Sequence, residues 1–379
     1  MLVAAPAFAA QIRVPADQPT LAAALAVAAP GDVILVQTAV NQGAVVITKP
    51  VTILGDPVLN IQAQGVGCIP VPLVQLNGPG SGTVTIADAT VSSNFDCANP
   101  PTPIGGIGFA ALHLYSVTIP EPLSGASGYG KGVEGVRTVG IPFVAIERSS
   151  IRSAQNDTDD CLPFAPNGGL GLDNYAAVDV GAATLVALDS ELRGGNGGYL
   201  CSMFGLGCPL NVATKGGEGA SAVKAGVFHS ANSVVAAGAP SQYLAWSGSA
   251  GSGTPTICHT YTSYPAVIAP VQSPLPGWAN STVRAKLGQN WSLSIGASGG
   301  PVYGFVSFGW GTPITLPGLG TVFLQPGAFF GLGLWSNGTP TLVSYAIPND
   351  STLLGVELCV QGYHATQGLW RPVADVIGN

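Results

Sequence analysis

A short unit recurs along the first two thirds of the chain, and it limits the fold more than any other feature. Alternating apolar residues lead into a small or polar corner and then one more apolar residue. The unit reads Val84-Thr-Ile-Ala-Asp-Ala-Thr-Val91, Leu112-His-Leu-Tyr-Ser-Val-Thr-Ile119 and Val144-Ala-Ile-Glu-Arg-Ser-Ser-Ile151. It returns as Val186-Ala-Leu-Asp-Ser-Glu-Leu192 and Val227-Phe-His-Ser-Ala-Asn-Ser-Val-Val235. The closing residues Val91, Ile119, Ile151, Leu192 and Val235 stand 28, 32, 41 and 43 positions apart. Repeats in this size range stack into solenoids, because one unit cannot bury its apolar face alone. Alternation within each unit turns one side of every strand inward.

A solenoid exposes its core at each end unless something seals it. The start of the chain supplies a seal. Ile12 to Val14 reads as a strand, and Thr20 is placed to cap a short helix whose apolar face is Leu21, Leu25 and Ala28. Pro30-Gly31 stops that helix, and the strand Val33–Val36 follows Asp32. Further strands are expected at Val45–Ile47 and Val51–Leu54, the latter closed by Gly55.

The order strand, short helix, Pro-Gly-Asp, strand over residues 12–56 resembles the N-terminal cap of pectin-lyase-like β-helix proteins. The resemblance implies a right-handed parallel β-helix with coils of about 20–25 residues, a size within the solenoid range. The longer intervals here then imply loops inserted in the coils. The inserts are glycine-rich, at Gly168–Gly171, Gly194–Gly198 and Lys215–Gly219. None opens a helix with G-x-x-x-x-G-K-[ST], so they read as turns and not as phosphate cradles. A β-sandwich would also use short alternating strands, but it would not call for a capping helix.

Residues 249–276, rich in Gly, Ser, Thr and Pro, read as a linker. Beyond it the character changes, and five of the six tryptophans lie at 278, 291, 310, 335 and 370. Alternating segments at Trp291–Ile295, Val302–Phe308, Phe329–Trp335 and Leu354–Val360 suggest an antiparallel β-sandwich. The expected fold is therefore all-β. Residues 1–10 are a signal-peptide remnant, 11–248 a right-handed parallel β-helix, 249–276 a linker and 277–379 a β-sandwich.

Composition narrows the setting. Only 8% of residues are charged and the net charge is −7, against roughly 25% charged in an average globular chain. The longest basic cluster is Arg284 with Lys286, which excludes a nucleic-acid footprint. No stretch is long and apolar enough to span a membrane. Ala7 and Ala9 have the small-residue spacing of a secretory cleavage site, so a secreted or cell-surface location is expected. Seven cysteines in an exported chain favour some disulfides, with Cys201–Cys208 and Cys258–Cys359 as candidate pairs, and the odd count leaves at least one thiol over. There is no CxxC, and His113, His229, His259 and His364 are scattered, which argues against zinc.

Chemistry has three candidate places. Asp157, Asp159 and Asp160 fall within four residues in a chain poor in charge. Asp159-Asp160-Cys161 resembles the acid/base fragment of polygalacturonase-like β-helix glycosidases, but no Gly-His-Gly and no later Arg-x-Lys accompanies it. The same three carboxylates suit Ca²⁺, which collects oxygen donors from flexible loops; they also suit a plain turn. Arg152 and Arg193 occupy equivalent places in successive units, so on adjacent coils they would stack about 4.8 Å apart. Resemblance to pectate lyases then implies Ca²⁺ on a uronate while an arginine abstracts the α-proton; the alternative is a solvated ion pair. Trp310 and Trp335 are candidates to stack on sugar rings, weighed against the commoner role of filling a sandwich core. No cofactor is required, calcium is the one the residues admit, and a polysaccharide is the expected partner. A pectate-type lyase, a glycoside hydrolase and a purely structural or adhesive surface protein remain the alternatives.

Overall fold

The computed structural model describes residues 9–62, 71–92, 101–120, 133–153, 175–197, 200–202, 219–240, 242–246, 255–260, 263, 265–269, 278–281, 284–296, 301–326, 329–335 and 341–379. The protein is all-β with one α-helix among these residues. Two long parallel sheets are stacked strand on strand, an arrangement compatible with a β-helix. The first runs through Gln11–Val14, Val33–Val36, Thr52–Gln62, Thr83–Ser92, Ala111–Ile119, Phe143–Glu147, Thr184–Leu188 and Val227–Ala231. Short strands Ser150–Arg152, Glu191–Arg193 and Val234–Ala236 extend it beyond a corner. The second joins Val45–Ile47, Val74–Asn77, Ile104–Ile107, Val136–Val139, Val178–Asp179, Val223–Lys224 and Val267–Ile268.

Register shows why this sequence chooses parallel stacking. Three rows of aliphatic residues point into one shared core. Ile12, Ile34, Ile53, Ile86, Leu114, Ile146 and Ala187 are successive partners in the first sheet. Val45, Val74, Ile104, Val136, Val178, Val223 and Val267 are successive partners in the second. Beyond the corner, Ile119, Ile151, Leu192 and Val235 form the third. All three rows belong to one buried cluster or pack against it. β-Branched side chains dominate the second row, as suits a pleated surface packed on its neighbours. The intervals 28, 32, 41 and 43 read from the sequence are the inter-strand registers themselves.

The corners are built alike. Asp88, Ser116, Arg148, Asp189 and Asn232 take φ values of 49°, 52°, 48°, 48° and 52°, in the left-handed region that turns the chain sharply. A serine follows three of them. Ser190 Oγ donates to the Leu188 carbonyl (2.7 Å) and accepts from the Ser149 N–H (3.1 Å). Ser149 Oγ accepts likewise from the Val117 N–H (3.0 Å), and Ser233 Oγ from the Ser190 N–H (3.1 Å). Each hydroxyl thus satisfies a backbone donor that the turn would leave stranded.

The seal at the start forms as expected. Thr20 Oγ1 accepts from the Ala23 N–H (3.1 Å) at the N-cap of helix Leu21–Val27, whose Leu21, Ala24 and Leu25 are buried. Asp32 fastens the helix exit through its carboxylate to the N–H groups of Ala10 (2.9 Å) and Ala29 (2.7 Å).

The C-terminal region is antiparallel. A sheet of Trp278–Ser281, Asn290–Gly296 and Thr341–Ala346 faces one of Phe329–Trp335, Val302–Phe308, Glu357–His364 and Gly368–Val376. Trp291, Leu293 and Ile295 of the former share a core with Val302, Val360 and Trp370 of the latter. The stretch 249–276, expected to be a linker, contains Val267–Ile268, which extends the second parallel sheet. Cys359 is a free, buried thiol, so the expected Cys258–Cys359 bridge is not made. Among the described residues no helix is long and apolar enough to cross a membrane.

The four-stranded antiparallel sheet also covers the outer face of the first parallel sheet. Leu35, Leu54, Ala87, Tyr115, Ala145, Val186 and Leu188 pack there against Trp310, Phe323, Leu354, Cys359, Ala374 and Val376. Gly355, at φ +78°, lies where any β-carbon would meet Val33 at 2.7 Å. Glu357 then reaches Thr85 and His113, while Ala374, Asp375 and Arg371 on the neighbouring strand reach Glu147, Arg148 and Asp189. Residues 355–357 thus touch four successive strands of the first sheet, from Val33–Val36 to Ala111–Ile119, and Asp375 and Arg371 reach the two corners that follow, at Arg148 and Asp189.

Candidate functional site

Arg152 and Arg193 end their short strands and are register partners on adjacent coils. The ladder brings them together as their sequence spacing implies. Their side chains are 40% and 49% exposed, and Glu191 lies between them. Arg152 Nη2 donates to Glu191 Oε1 at 3.1 Å, and Arg193 Nε donates to the same oxygen. Hydrogen bonds from Arg193 and Arg152 hold the Glu191 carboxyl below the usual range. One carboxylate offsets two guanidiniums, leaving a net positive charge at the corner.

That corner borders a cleft of about 360 Å³ lined by Arg152, Ser153, Arg193, Asn196, Gly238 and Ser263, among others. Its walls are fixed by local hydrogen bonds. Ser153 Oγ donates to the Tyr175 carbonyl (2.7 Å), Ser263 Oγ to the Gly238 carbonyl (2.7 Å), and Asn196 Oδ1 accepts from the Ala239 N–H (2.7 Å). Gly238 admits no side chain, since a β-carbon there would lie 1.9 Å from the Gly195 carbonyl oxygen. Gly194, Gly195 and Gly238 thus serve close packing of neighbouring strands beside the cleft.

A second set of charges, not singled out in the sequence, lies on the second parallel sheet. Arg137, Asp179 and Lys224 are successive register partners. Glu134 sits just before this row, buried, with Arg137 Nη1 at 3.9 Å; burial pushes its carboxyl above the ordinary value. The signal was present: each charge follows a valine of the inward row, at Val136, Val178 and Val223.

The remaining sequence candidates separate. Asp157, Asp159 and Asp160 lie outside the described residues. Among the described residues no group of three His, Cys, Asp or Glu side chains converges as a metal site. Trp310 is 9% exposed and packs between the sheets, near Phe143, Phe323 and His113, with its indole N–H donating to Tyr115 Oη at 2.7 Å. Its rings face protein, so Trp310 offers no platform for a sugar. Of the two roles weighed from the sequence it takes core filling, in the layer between the parallel and antiparallel sheets. Trp335 ends the strand Phe329–Trp335, and its side chain lies outside the described part.

No protein-family model matches the chain, and a search of curated proteins finds no match.

Proposed function

We propose that the stacked parallel sheets wind as a right-handed β-helix of the pectin-lyase-like kind, with the antiparallel region as its C-terminal β-sandwich. We further propose that this helix holds an acidic polysaccharide along the cleft at Arg152 and Arg193. The three continuous inward rows and the short capping helix support the architecture, and parallel crossovers are overwhelmingly right-handed. One observation carries the function: two guanidiniums, in register on neighbouring coils, at the rim of a glycine-floored cleft. Guanidinium groups match carboxylates in a two-point fork, and a repeating coil presents them at a spacing that an extended chain can follow.

Glu191 keeps both arginines in charged partnerships, which suits recognition of a carboxylate better than abstraction of a proton. Binding is therefore the preferred reading over elimination. The small-residue pattern at Ala7 and Ala9 supports export to the cell surface, where such a ligand would be met.

Isothermal titration with polygalacturonate and with a neutral glucan tests this. The expected result is binding of the acidic polymer only, weakened at least tenfold in Arg152→Ala/Arg193→Ala and by added salt. Failure of the wild type to bind any acidic glycan contradicts the proposal and leaves a structural or adhesive role. Release of unsaturated, ultraviolet-absorbing products in the presence of Ca²⁺ would replace binding with a lyase reaction.

A further inference from the structure

The contact between the first parallel sheet and the antiparallel unit is unusually rich in buried charge for a chain with so few. Four pairs cross it. His113 Nδ1 lies 2.8 Å from Glu357 Oε1, and Thr85 Oγ1 donates to the same oxygen at 2.6 Å. Arg148 grips Asp375 in a fork at 2.6 and 3.2 Å, Arg371 Nη1 meets Asp189 at 3.3 Å, and Arg284 pairs with Asp88. Three of these partners, Asp88, Arg148 and Asp189, belong to the row of five left-handed corner residues. The row of corners is thus the row of docking points.

The census leaves one group over. Arg148, Arg284 and Arg371 each face a carboxylate, of Asp375, Asp88 and Asp189, and the Glu357 carboxylate is held by His113 and Thr85. Glu147 is the fifth acid. It is 1% exposed; its Oε2 accepts from the Ala374 N–H at 3.0 Å, and its Oε1 has no hydrogen-bond partner. Facing it are Arg148, Asp189 and Tyr115 from the parallel sheet and Asp375 and Cys359 from the antiparallel one. Ionised, Glu147 would place at this interface a buried charge with no cation of its own, since the neighbouring Arg148 is taken up by Asp375.

The buried cluster between the two units is distinct from the one inside the parallel sheets and from the antiparallel core, which it meets at Leu287.

We infer that the antiparallel unit is a pH-sensitive latch on the outer face of the first parallel sheet, closed while Glu147 is protonated and loosened as it ionises. Burial, opposed by Arg148 and reinforced by Asp375 and Asp189, pushes the Glu147 carboxyl up to about 8 in the closed form. In the open form the side chain meets water and returns to an ordinary carboxyl value of about 4.3. A raised acid favours the closed form fully below the open-state value and loses that advantage as pH climbs to the closed-state value. Each pH unit in that window therefore lowers the closing constant by up to about tenfold. Opening would bare Leu54, Ala87, Tyr115, Ala145 and Val186, an apolar stripe that runs across the coils.

Cys359 reports on the latch because it is buried against this interface. Alkylation of the full-length protein, followed by mass mapping of the Cys359 peptide, is compared between wild type and Glu147→Gln from pH 5 to pH 9. The ratio of rates cancels the intrinsic titration of the thiol. The ratio of wild type to variant is expected to rise by up to about tenfold per pH unit and to level off above about pH 8. A ratio that stays constant across this range overturns the inference. If the variant does not fold, wild type alone decides: its Cys359 rate, normalised to a free-thiol peptide, must rise between pH 6 and pH 8, and a flat profile refutes the latch.

Discussion

Leu185→Ala probes the stacked core where it should be least forgiving. Leu185 is fully buried and lies between Val144 and Phe228, its register partners on the coils before and after, in a row that continues to Leu112 and Val84. The substitution removes three carbon atoms, worth about 2.4 kcal/mol at roughly 0.8 kcal/mol each. A cavity term adds to this wherever neighbours cannot close the gap. Parallel ladders on both sides fix the backbone of Val144 and Phe228, so collapse is restricted. The expected total is about 3–4 kcal/mol, within the roughly 2.7–5 kcal/mol range for such truncations. Urea unfolding followed by far-ultraviolet circular dichroism measures it, with Val139→Ala as reference. Val139 is 62% exposed on the second sheet, and its truncation should fall within about 0.5 kcal/mol of wild type. A Leu185→Ala cost below about 1 kcal/mol, with an unchanged denaturant slope, would mean that the side chain is not held in a continuous row.

Other consequences follow from single contacts. Ser190→Ala strands the buried Ser149 N–H and should destabilise by about 1–3 kcal/mol in the same unfolding assay. Tyr115→Phe removes the acceptor of the Trp310 indole and should cost a similar amount, with a shift in tryptophan emission as the ring loses its partner. Glu191→Gln frees both cleft arginines and should tighten binding of an acidic polymer while steepening its salt dependence, as titration at two ionic strengths would show. Thr20→Ala deletes the helix cap and should cost about 1 kcal/mol, read by thermal or urea unfolding.

Much of the stacked part is legible in the chain, because inward residues must line up from coil to coil. The closing residues Ile119, Ile151, Leu192 and Val235 share one ladder, so their intervals equal its register. The cap is legible for the same reason: Thr20, the Leu21/Leu25 face and Pro30-Gly31 are all local signals. The second sheet is much less so. Its strands Val178–Asp179 and Val223–Lys224 are two residues long, too short for any alternation to show. The buried outer face escaped because Phe143–Glu147, whose Val144 and Ile146 face the inner core, is covered on its other side by a unit more than 200 residues away, and separation in sequence hides that contact. For the same reason the sequence leaves Trp310 between sugar stacking and core filling. Of the site, the arginine pair follows from the repeat, whereas Glu191, which joins them, becomes visible only once both strands are placed.

The stacking of strands in one register is best tested on the exposed face of the second sheet, by oxidative cross-linking of paired cysteines followed by peptide mapping. Neighbouring strands stand about 4.8 Å apart, within disulfide reach, whereas strands two apart stand at about twice that, beyond it. Arg137→Cys/Asp179→Cys and Asp179→Cys/Lys224→Cys are expected to close readily, and Arg137→Cys/Lys224→Cys to stay open. Rapid closure of the 137–224 pair, or failure of both neighbouring pairs, would contradict the stacked parallel order.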